Sequence, residues 1–293
     1  MILSVVIITH NEEANIGRTL ASVQPLVADG QGEIIVVDSG STDRTLEIAK
    51  SYGAKVFVEE WKGFAPQKNS AIDKAEGDWI LSLDADEEVS SELRSEIAEL
   101  LSLQPGQLLH KLSVRGAWDA WIEANPDFTV TYEDERTGVL AGAAIPRKNF
   151  FMGRWIRRGG FYPDRKLRLF KRGSAAFENR QVHEDAHTAG FTVALRDALI
   201  HHSYPTLADY IDHMNRYSSL GAEMAVAKSP RGFSLFNIVV RPWATFTYNY
   251  IFRLGFLDGR EGLLLHLYHA VYVSWKYAKA WELSRKKWRS GDP

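Results

Sequence analysis

The chain has 293 residues, 45% of them hydrophobic, and a formal net charge of -2 at pH 7. This apolar content is sufficient for a packed core, so the composition excludes a disordered chain. Because the sequence contains no cysteine, disulfide frameworks, cysteine zinc sites and thiol nucleophiles are excluded, and a reducing cytoplasm is expected. No apolar run reaches the roughly 18 residues of a membrane-spanning helix. Met1 leads directly into an apolar run, so we expect no signal peptide.

Charged residues are distributed unevenly along the chain. The stretch from Arg147 to Arg172 contains ten Lys or Arg residues and one acid, Asp164, and the stretch from Lys228 onward contains eleven against four. The second half is therefore the basic half, which indicates an anionic surface or ligand there. The small net charge gives no sign of a nucleic-acid partner, and we expect none.

The first part of the chain alternates between predicted strands and helices. The predicted strands are apolar, largely β-branched runs at residues 2–8, 33–37, 54–58 and 79–83. The predicted helices between them are residues 15–26, 43–52 and 67–75. This alternation predicts a parallel α/β sheet. Ligands of such sheets collect at the carboxyl ends of the strands, so the polar clusters after these strands should line one crevice.

The rest of the chain contains a helix, an irregular stretch, a strand and then further helices. An acidic amphipathic helix is predicted at 90–103, residues 104–142 show no regular pattern, and a strand is predicted at 166–170. Helices rich in aromatic residues are predicted at 209–227, 233–254 and 261–288. We therefore predict an α/β domain at 1–205 and a helical extension at 206–293. Within the domain, residues 1–103 and 143–205 flank an insertion.

Asp84 and Asp86 directly follow the fourth predicted strand. Two carboxylates on one tight turn can bind a hard divalent cation together with the diphosphate oxygens that the cation neutralises. An isolated pair of this kind is usually solvated, but this pair follows three successive strand-helix units, at the edge where ligands collect. The position predicts a metal and diphosphate site.

Three segments at the ends of the predicted strands resemble motifs of the family 2 glycosyltransferases. They are residues 5–12, 36–43 and 81–87, with the sequences VVIITHNE, VVDSGSTD and LSLDADE. Residues 61–64, 67–69, 162–165 and 182–184 are similar to the subgroup that adds sugars to the lipopolysaccharide inner core, often described as β-1,4-glucosyltransferases. The resemblance implies a GT-A fold, a Rossmann-like and mainly parallel sheet flanked by helices, here with a C-terminal amphipathic helical extension.

The resemblance also implies a nucleotide-sugar donor, a UDP-sugar such as UDP-glucose, bound with a divalent metal, Mg²⁺ or Mn²⁺. The implied donor-binding residues are Thr9, Asn11, Glu12, Asp38, Ser39, Lys68, Asn69 and Asp84. Among them, Asp38 would accept the imide hydrogen of a uracil ring, and Lys68 would offset diphosphate charge. Asp86 is the implied direct metal ligand, with Asp84 as a ribose or water-mediated partner.

The implied reaction is an inverting transfer, which needs a base to deprotonate the acceptor hydroxyl. Glu184 is the predicted base because it lies where the family carries that residue, with Asp185 as the reserve candidate. His183 would orient the base or the acceptor. No covalent intermediate is expected, since the acceptor attacks the sugar directly as the diphosphate leaves.

Two further groups are candidates for ligand contacts. His201 and His202 follow an apolar pair at a predicted strand end, and His202 is a candidate for the metal shell or the diphosphate. Arg157, Arg158, Arg165 and Arg168 form a basic cluster in the sequence, suited to an anionic acceptor or the diphosphate because the guanidinium group matches phosphate geometry. A structural histidine and a solvated basic loop are the alternatives.

The C-terminal helices combine many aromatic residues with arginines, a composition suited to an anionic membrane interface. Packing of these aromatics on the catalytic domain or on a second subunit is the alternative, so an oligomer stays open. We therefore expect a cytoplasmic enzyme bound peripherally to the inner face of the cytoplasmic membrane.

The predicted function is transfer of a sugar to a lipid-linked saccharide such as the lipopolysaccharide core. Transfer to a polyprenyl phosphate or a polyprenyl-linked glycan would use the same donor site. A nucleotide-sugar-binding protein without catalysis is a third hypothesis, which the joint presence of Asp38, Asp84, Asp86 and Glu184 disfavours. A nucleotidyltransferase is disfavoured because no glycine-rich basic loop follows the first predicted strand.

Overall fold

The structure is a computed structural model, which describes residues 2–102, 140–178, 185–188, 190–229 and 232–290. The predicted insertion lies outside these residues except for its last three, and His183 and Glu184 lie outside them as well.

Twelve strands and seven α-helices are defined within these ranges. The strands are β1 (Leu3–Thr9), β2 (Gly32–Asp38), β3 (Lys55–Val58), β4 (Trp79–Asp84), β5 (Glu87–Val89), β6 (Leu140–Phe151), β7 (Arg154–Trp155), β8 (Asp164–Lys171), β9 (Ala175–Phe177), β10 (Ala186–Thr188), β11 (Phe191–Ala194) and β12 (Leu199–Tyr204). The α-helices are α1 (Ile16–Val27), α2 (Thr45–Ser51), α3 (Phe64–Asp73), α4 (Ser91–Ser102), α5 (Leu207–Lys228), α6 (Arg241–Thr247) and α7 (Gly259–Ser290).

The main sheet has a parallel core, as predicted. Strands β3, β2, β1 and β4 are neighbours in that order and run parallel. The sheet continues through β8, which is antiparallel to β4, and then through β6, β12 and β5. All seven residues of β1 are buried, as expected for a parallel strand with both faces covered. The predicted mainly parallel α/β sheet flanked by helices is confirmed.

Alternating residues of each central strand face two different apolar clusters. Val5 and Ile7 of β1 pack on one side of the sheet, together with residues of α1 and α4. Val6 and Ile8 pack on the other side, with residues of α3. Because side chains alternate across a strand, a continuous apolar run supplies both faces. The helices hold the sheet so that the ends of β1, β2 and β4 form one edge.

The described chain divides into two compact units. The first comprises the described residues of Met1–Arg147, Arg165–Arg180 and Glu184–Ile200, and the second those of Lys148–Asp164 and His201–Pro293. Buried Phe151 and Ile156 pack with Tyr210, Met214 and Leu265 in the second unit. The compact units therefore do not coincide with the predicted divisions 1–205 and 206–293.

The predicted helix at 233–254 is helical but irregular. The segments Phe236–Val240 and Tyr248–Phe252 are π-helical and flank α6. Pro242 lies inside a continuous helical run, because the first π-helical segment leads directly into α6; there its missing N–H interrupts the helical ladder and favours such local rearrangement. None of the helices in the described part of the chain is long and apolar enough to cross a membrane.

A buried polar network connects β1 and β2 to the turn before β4. Glu33, which is 7% exposed, accepts hydrogen bonds from the Ser4 hydroxyl at 2.6 Å and the Glu76 backbone N–H at 2.8 Å. It also pairs with the Lys55 ammonium at 2.7 Å. Burial alone would raise the pKa of Glu33, but these donors outweigh burial and hold the pKa below its usual value of 4.5.

Glu33→Gln is expected to lower the free energy of unfolding at neutral pH by about 1–3 kcal/mol, because an amide pairs poorly with three donors. A depressed folded-state pKa stabilises the fold fully above the unfolded value of 4.5, and this contribution is lost as the pH falls through the folded value. Urea unfolding should therefore show a difference between the two proteins that narrows in acid.

Glu47→Gln is the matched control, because Glu47 forms an ion pair with Arg44 in which both side chains are exposed. This control should change stability little. Equal losses in the two variants, or a Glu33 effect that persists unchanged in acid, would contradict the network's role.

Candidate active site

The loops after β1 and β2 are bound to each other by reciprocal hydrogen bonds. The Asn11 backbone N–H donates to the Ser41 hydroxyl at 2.8 Å, and the Thr42 N–H donates to the Asn11 side-chain oxygen at 2.8 Å. The Glu12 N–H donates to the Thr45 hydroxyl at 2.8 Å. Asn11 has a φ of 54°, a left-handed conformation that asparagine tolerates better than most residues. The two predicted donor loops therefore form one unit.

Asp38 shapes its own loop. Its carboxylate is fully buried and accepts the backbone N–H groups of Gly40 and Ser41, each at 2.8 Å, and the Ser41 hydroxyl. The Ser39 hydroxyl donates to the Thr9 carbonyl at 3.2 Å. The Thr9 hydroxyl is buried and has no hydrogen-bond partner among the described residues. The contact of Asp38 with a uracil ring stays a prediction, and so do the donor contacts of Thr9, Asn11, Glu12 and Ser39.

Carboxylates gather where these loops approach the end of β4. Burial raises the pKa of Glu12 above its usual value, and the negative charges of Asp86, Asp43 and Asp84 raise it further, against a hydrogen bond from Asn15. The Asn15 amide donates to Glu12 at 2.8 Å. A cation brought next to Glu12 and Asp86 would relieve this repulsion.

Asp84 is held by two buried cations. The Lys68 ammonium lies 2.7 Å from one carboxylate oxygen, and the Arg168 guanidinium donates to the other. Arg168 also donates to Glu87 at 2.7 Å, and Arg147 lies 3.1 Å from the same Glu87 oxygen. Burial would raise the pKa of Asp84, but the charges of Arg168 and Lys68 outweigh it and hold that pKa well below its usual value.

This arrangement limits how a divalent metal can bind. No group of three or more His, Asp or Glu side chains suited to a metal is formed by the part of the chain that the structure describes. Both oxygens of Asp84 are engaged by cations, which disfavours direct coordination of a metal by Asp84. The negative charge of Asp86 acts on Glu12, and a Mg²⁺-type ion commonly takes one or two protein carboxylates and completes its shell with phosphate and water. The metal contact of Asp86 stays a prediction.

Asn69 contacts a strand and not the donor loops. Its amide nitrogen donates to the Phe177 carbonyl at 2.9 Å, and its amide oxygen accepts the Phe177 N–H at 2.9 Å. The Lys68 ammonium also lies 5.1 Å from the centre of the Phe177 ring. Helix α3 therefore fixes β9, which pairs antiparallel with β10. Both ends of the Asn69 amide are engaged in this way, and its donor contact stays a prediction.

The segment with the predicted base lies between β9 and β10. Asp185, which directly precedes β10, pairs with the Lys166 ammonium at 2.7 Å. Glu184 and His183 lie outside the described residues, and their catalytic roles stay predictions. Asp185 is therefore engaged in an ion pair.

The other predicted ligand residues are divided between the units. Arg165 and Arg168 lie on β8 in the first unit, whereas Arg157, Arg158 and His202 belong to the second. The His202 ring stacks on Phe150, with 5.7 Å between ring centres. Arg168, which is 4% exposed, is part of the buried cluster and not of a solvated basic loop. The ligand contacts of these residues stay predictions.

Glu87 and Arg147 are the site residues that sequence reasoning did not assign a role. Glu87 is fully buried and accepts hydrogen bonds from Arg168 and Arg147. The sequence signal was an acid directly after the Asp84 and Asp86 pair, followed much later by the basic strand β8. Buried charges are normally paired, but the partner of a given acid depends on which strands become neighbours.

Arg168→Met should lower the free energy of unfolding by about 3–5 kcal/mol, because it removes the buried cation shared by buried Glu87 and half-buried Asp84. Arg172→Met is the matched control, since Arg172 is an exposed arginine four residues further along the chain. Urea unfolding of both variants checks this. A loss for Arg168→Met no larger than that of the control would contradict the cluster's structural role.

This chain is similar to a known protein family and to several known proteins. The model described as Glycosyl transferase family 2 matches residues 4–106. The lipopolysaccharide core biosynthesis glycosyltransferase LpsC of Rhizobium meliloti is 28% identical over 290 residues, which cover 96% of this chain and 92% of that protein. A glycosyltransferase of Rickettsia typhi is 30% identical over 294 residues, which cover 97% of this chain and 88% of the relative.

A solved structure with a related sequence is glucosyl-3-phosphoglycerate synthase from Mycobacterium tuberculosis in complex with Mn²⁺, UDP and glucosyl-3-phosphoglycerate. It is 30% identical, covers 36% of this chain and 41% of its own, and has a TM-score of 0.31. A TM-score this low does not bear on the fold or the ligand. The sheet described above agrees with the GT-A fold that the sequence motifs implied. From its match to the family model and to a full-length relative, the chain belongs to glycosyl transferase family 2.

Proposed function

We propose that this glycosyltransferase transfers a sugar, with glucose favoured, from a UDP-sugar to a lipid-linked saccharide of the lipopolysaccharide core class, with inversion. The observation that carries the proposal is the charge arrangement at the end of β4. Buried Lys68 and Arg168 bind Asp84, while the negative charges of Asp86 and Asp84 act on Glu12. A nucleotide diphosphate with its divalent ion suits such a site. The LpsC relative supports the acceptor class.

The donor half of the proposed reaction uses Asp86 and the two loops. Asp86, with Glu12 beside it, would hold Mg²⁺ or Mn²⁺ together with the diphosphate oxygens. Such an ion, when bound, neutralises charge on the departing diphosphate. The loops of Asn11 and Ser41, which are hydrogen-bonded to each other at the same sheet edge, would form the wall of the nucleoside site.

The acceptor half needs one proton transfer. The Glu184 carboxylate would take the proton of the acceptor hydroxyl as that oxygen forms a bond to the anomeric carbon. The bond between that carbon and the donor phosphate oxygen breaks, and UDP leaves with the electron pair. We favour Glu184 over Asp185 because Asp185 is paired with Lys166 at 2.7 Å.

Glu184→Gln should abolish sugar transfer while leaving the affinity for UDP unchanged, because an amide cannot accept the proton. A loss of roughly two to four orders of magnitude in kcat is expected for removal of a general base. The measurement is transfer from radiolabelled UDP-glucose to lipopolysaccharide core acceptors, beside calorimetric titration with UDP. Asp185→Asn is the matched control and should retain most activity. Normal transfer by Glu184→Gln would refute the base assignment.

The acceptor class is tested by competition. Truncated lipopolysaccharide core should accept the sugar, whereas a polyprenyl phosphate should not. The reverse result would assign the enzyme to polyprenyl-linked products, which the same donor site could also serve. UDP binding without transfer to either class would favour the hypothesis of a binding protein without catalysis.

We further propose that the enzyme binds peripherally to the inner face of the cytoplasmic membrane through residues 233–257, here called the aromatic segment. This stretch contains two arginines and no acidic residue. Large apolar side chains that are at least 41% exposed occur throughout it: Phe233, Leu235, Phe236, Val239, Val240, Trp243, Tyr248, Ile251, Phe252, Leu254, Phe256 and Leu257. An exposed apolar surface of this size marks a binding surface.

A membrane interface suits the aromatic segment better than another protein surface. Aromatic and arginine side chains are favoured at the boundary between headgroups and acyl chains, and the lack of acids avoids repulsion from anionic lipids. Arg253 lies over the Tyr248 ring at 5.5 Å, which places cation and aromatic surface together. An acceptor embedded in lipid would require the enzyme to work at this boundary.

The double variant Trp243→Ser and Phe252→Ser should weaken binding to phosphatidylglycerol vesicles at least roughly tenfold, because each buried aromatic contributes about 1.5–3 kcal/mol. These side chains are 68% and 73% exposed, so the fold should be retained. The matched control is Val58→Ser and Trp61→Ser, two exposed apolar residues of the first unit. Vesicle co-sedimentation measures binding. Unchanged binding, or self-association through this surface instead, would contradict the membrane proposal.

A further inference from the structure

A cleft in the second unit lies outside the donor site. Its lining residues are Met152, Gly153, Arg154, Trp155, Arg157 and Glu261. All six belong to the same compact unit, so the cleft is defined within a single packed body.

The cleft is built on a tight hairpin between β6 and β7. Phe150 pairs with Trp155 and Phe151 with Arg154, which leaves Met152 and Gly153 as the two turn residues. Both have positive φ, 50° and 80°, as two-residue hairpin turns require. Methionine rarely adopts this conformation, and such strain is commonly found where a precise local geometry serves a ligand. The Met152 N–H donates to the Tyr204 carbonyl at 2.8 Å, which anchors the turn.

Arg157 is held in place on two sides. Its guanidinium carbon lies 4.3 Å from the centre of the Trp155 ring, a cation–π contact. Its backbone N–H donates to the Asp258 carboxylate at 3.1 Å, and the Arg158 N–H donates to the same oxygen at 2.8 Å. Asp258 is only 2% exposed. An exposed arginine is thus ordered before any ligand arrives, which reduces the entropic cost of binding an anion.

The cleft has an excess of positive charge. Arg154 and Arg157 line the cleft together with one acid, Glu261, which is 3.6 Å from Arg154. Lys148 does not line the cleft, but its ammonium lies 5.1 Å from the Trp155 ring centre. The positive charge of this region favours an anionic ligand. Since Arg157 lies over the indole, the ring is a support for the guanidinium and not a platform for a sugar.

We propose that this cleft binds a phosphate group, and that in the reaction it holds a phosphorylated unit of the acceptor. The ordered Arg157 fork supplies paired N–H donors that match phosphate oxygens, and Arg154 and Lys148 supply further charge. The assignment to the acceptor rests on the proposed function. Binding of a phosphate itself depends only on the cleft.

The probe is mannose 6-phosphate, added to the full-length protein labelled with ¹⁵N at its tryptophan indoles. The Trp155 indole resonance is identified by its absence in Trp155→Phe. We expect this resonance to shift with mannose 6-phosphate and not with mannose. Arg157→Ala should weaken the apparent affinity at least roughly tenfold, as expected for loss of a charged hydrogen bond. Arg216→Ala is the matched control, because Arg216 is an exposed arginine near the Tyr217 ring, 5.8 Å from its centre.

The outcomes separate the two sources of phosphate and the two proposals. If the Trp155 resonance shifts with mannose 6-phosphate but not with glycerol 3-phosphate, the ligand is a phosphorylated saccharide. If it shifts equally with both compounds, the site binds phosphate and accepts lipid headgroups as well. No shift with either compound, or equal weakening in Arg157→Ala and Arg216→Ala, would overturn the site. If the protein binds UDP but the Trp155 resonance does not shift, the phosphate site is wrong and the proposed donor stands. If the protein binds mannose 6-phosphate but not UDP, the proposed donor is wrong and the phosphate site stands.

Discussion

A buried guanidinium at the end of the central strand β4 imposes the main constraint on this enzyme. Arg168 contacts both Asp84 and Glu87, Lys68 contacts Asp84, and Arg147 contacts Glu87. The desolvation cost of such charges is offset only when each one has partners in good geometry. Strands β4, β5, β6 and β8 and helix α3 must therefore meet at one place. The edge of the sheet where a donor diphosphate would bind is thereby fixed.

The same constraint separates the roles of the two aspartates of the Asp84 and Asp86 pair. Asp84 is neutralised by cations that belong to the protein, so its carboxylate organises the site. Burial, and then the negative charges of Asp86, Asp43 and Asp84, raise the pKa of Glu12, and a divalent ion near these carboxylates would relieve their repulsion. Lys68 connects this arrangement to β9 through its contact with the Phe177 ring, and Asn69 holds the same residue. The donor edge and the strand before the predicted base are thus supported by one helix, α3.

The sequence was a good guide to features set by local pattern and a poor one to features set by neighbouring strands. Continuous apolar runs correctly predicted β1, β2 and β4, and the polar clusters after these strands lie at one edge of the sheet, where ligand binding stays a prediction. The start of β6 at Leu140 was missed because its residues are small and not β-branched. A Cβ atom at position 142 would lie 2.9 Å from the Leu169 carbonyl oxygen. The close approach of β8 therefore favours glycine at this position. The roles of Arg168 and Asn69 likewise depend on distant partners, 84 and 108 residues away, which no local pattern reveals.

The central claim is that the edge formed by β1, β2 and β4 binds a uridine diphosphate together with a divalent ion. Calorimetric titration of the purified protein with UDP, with and without Mn²⁺, tests this claim most directly, with GDP and ADP as competitors. The account predicts binding of UDP that depends on the metal, and weak competition by the other two nucleotides. Metal-independent binding would contradict the assignment of Asp86, preference for another nucleotide would contradict the donor, and the absence of binding to any nucleotide would contradict the proposed catalytic function.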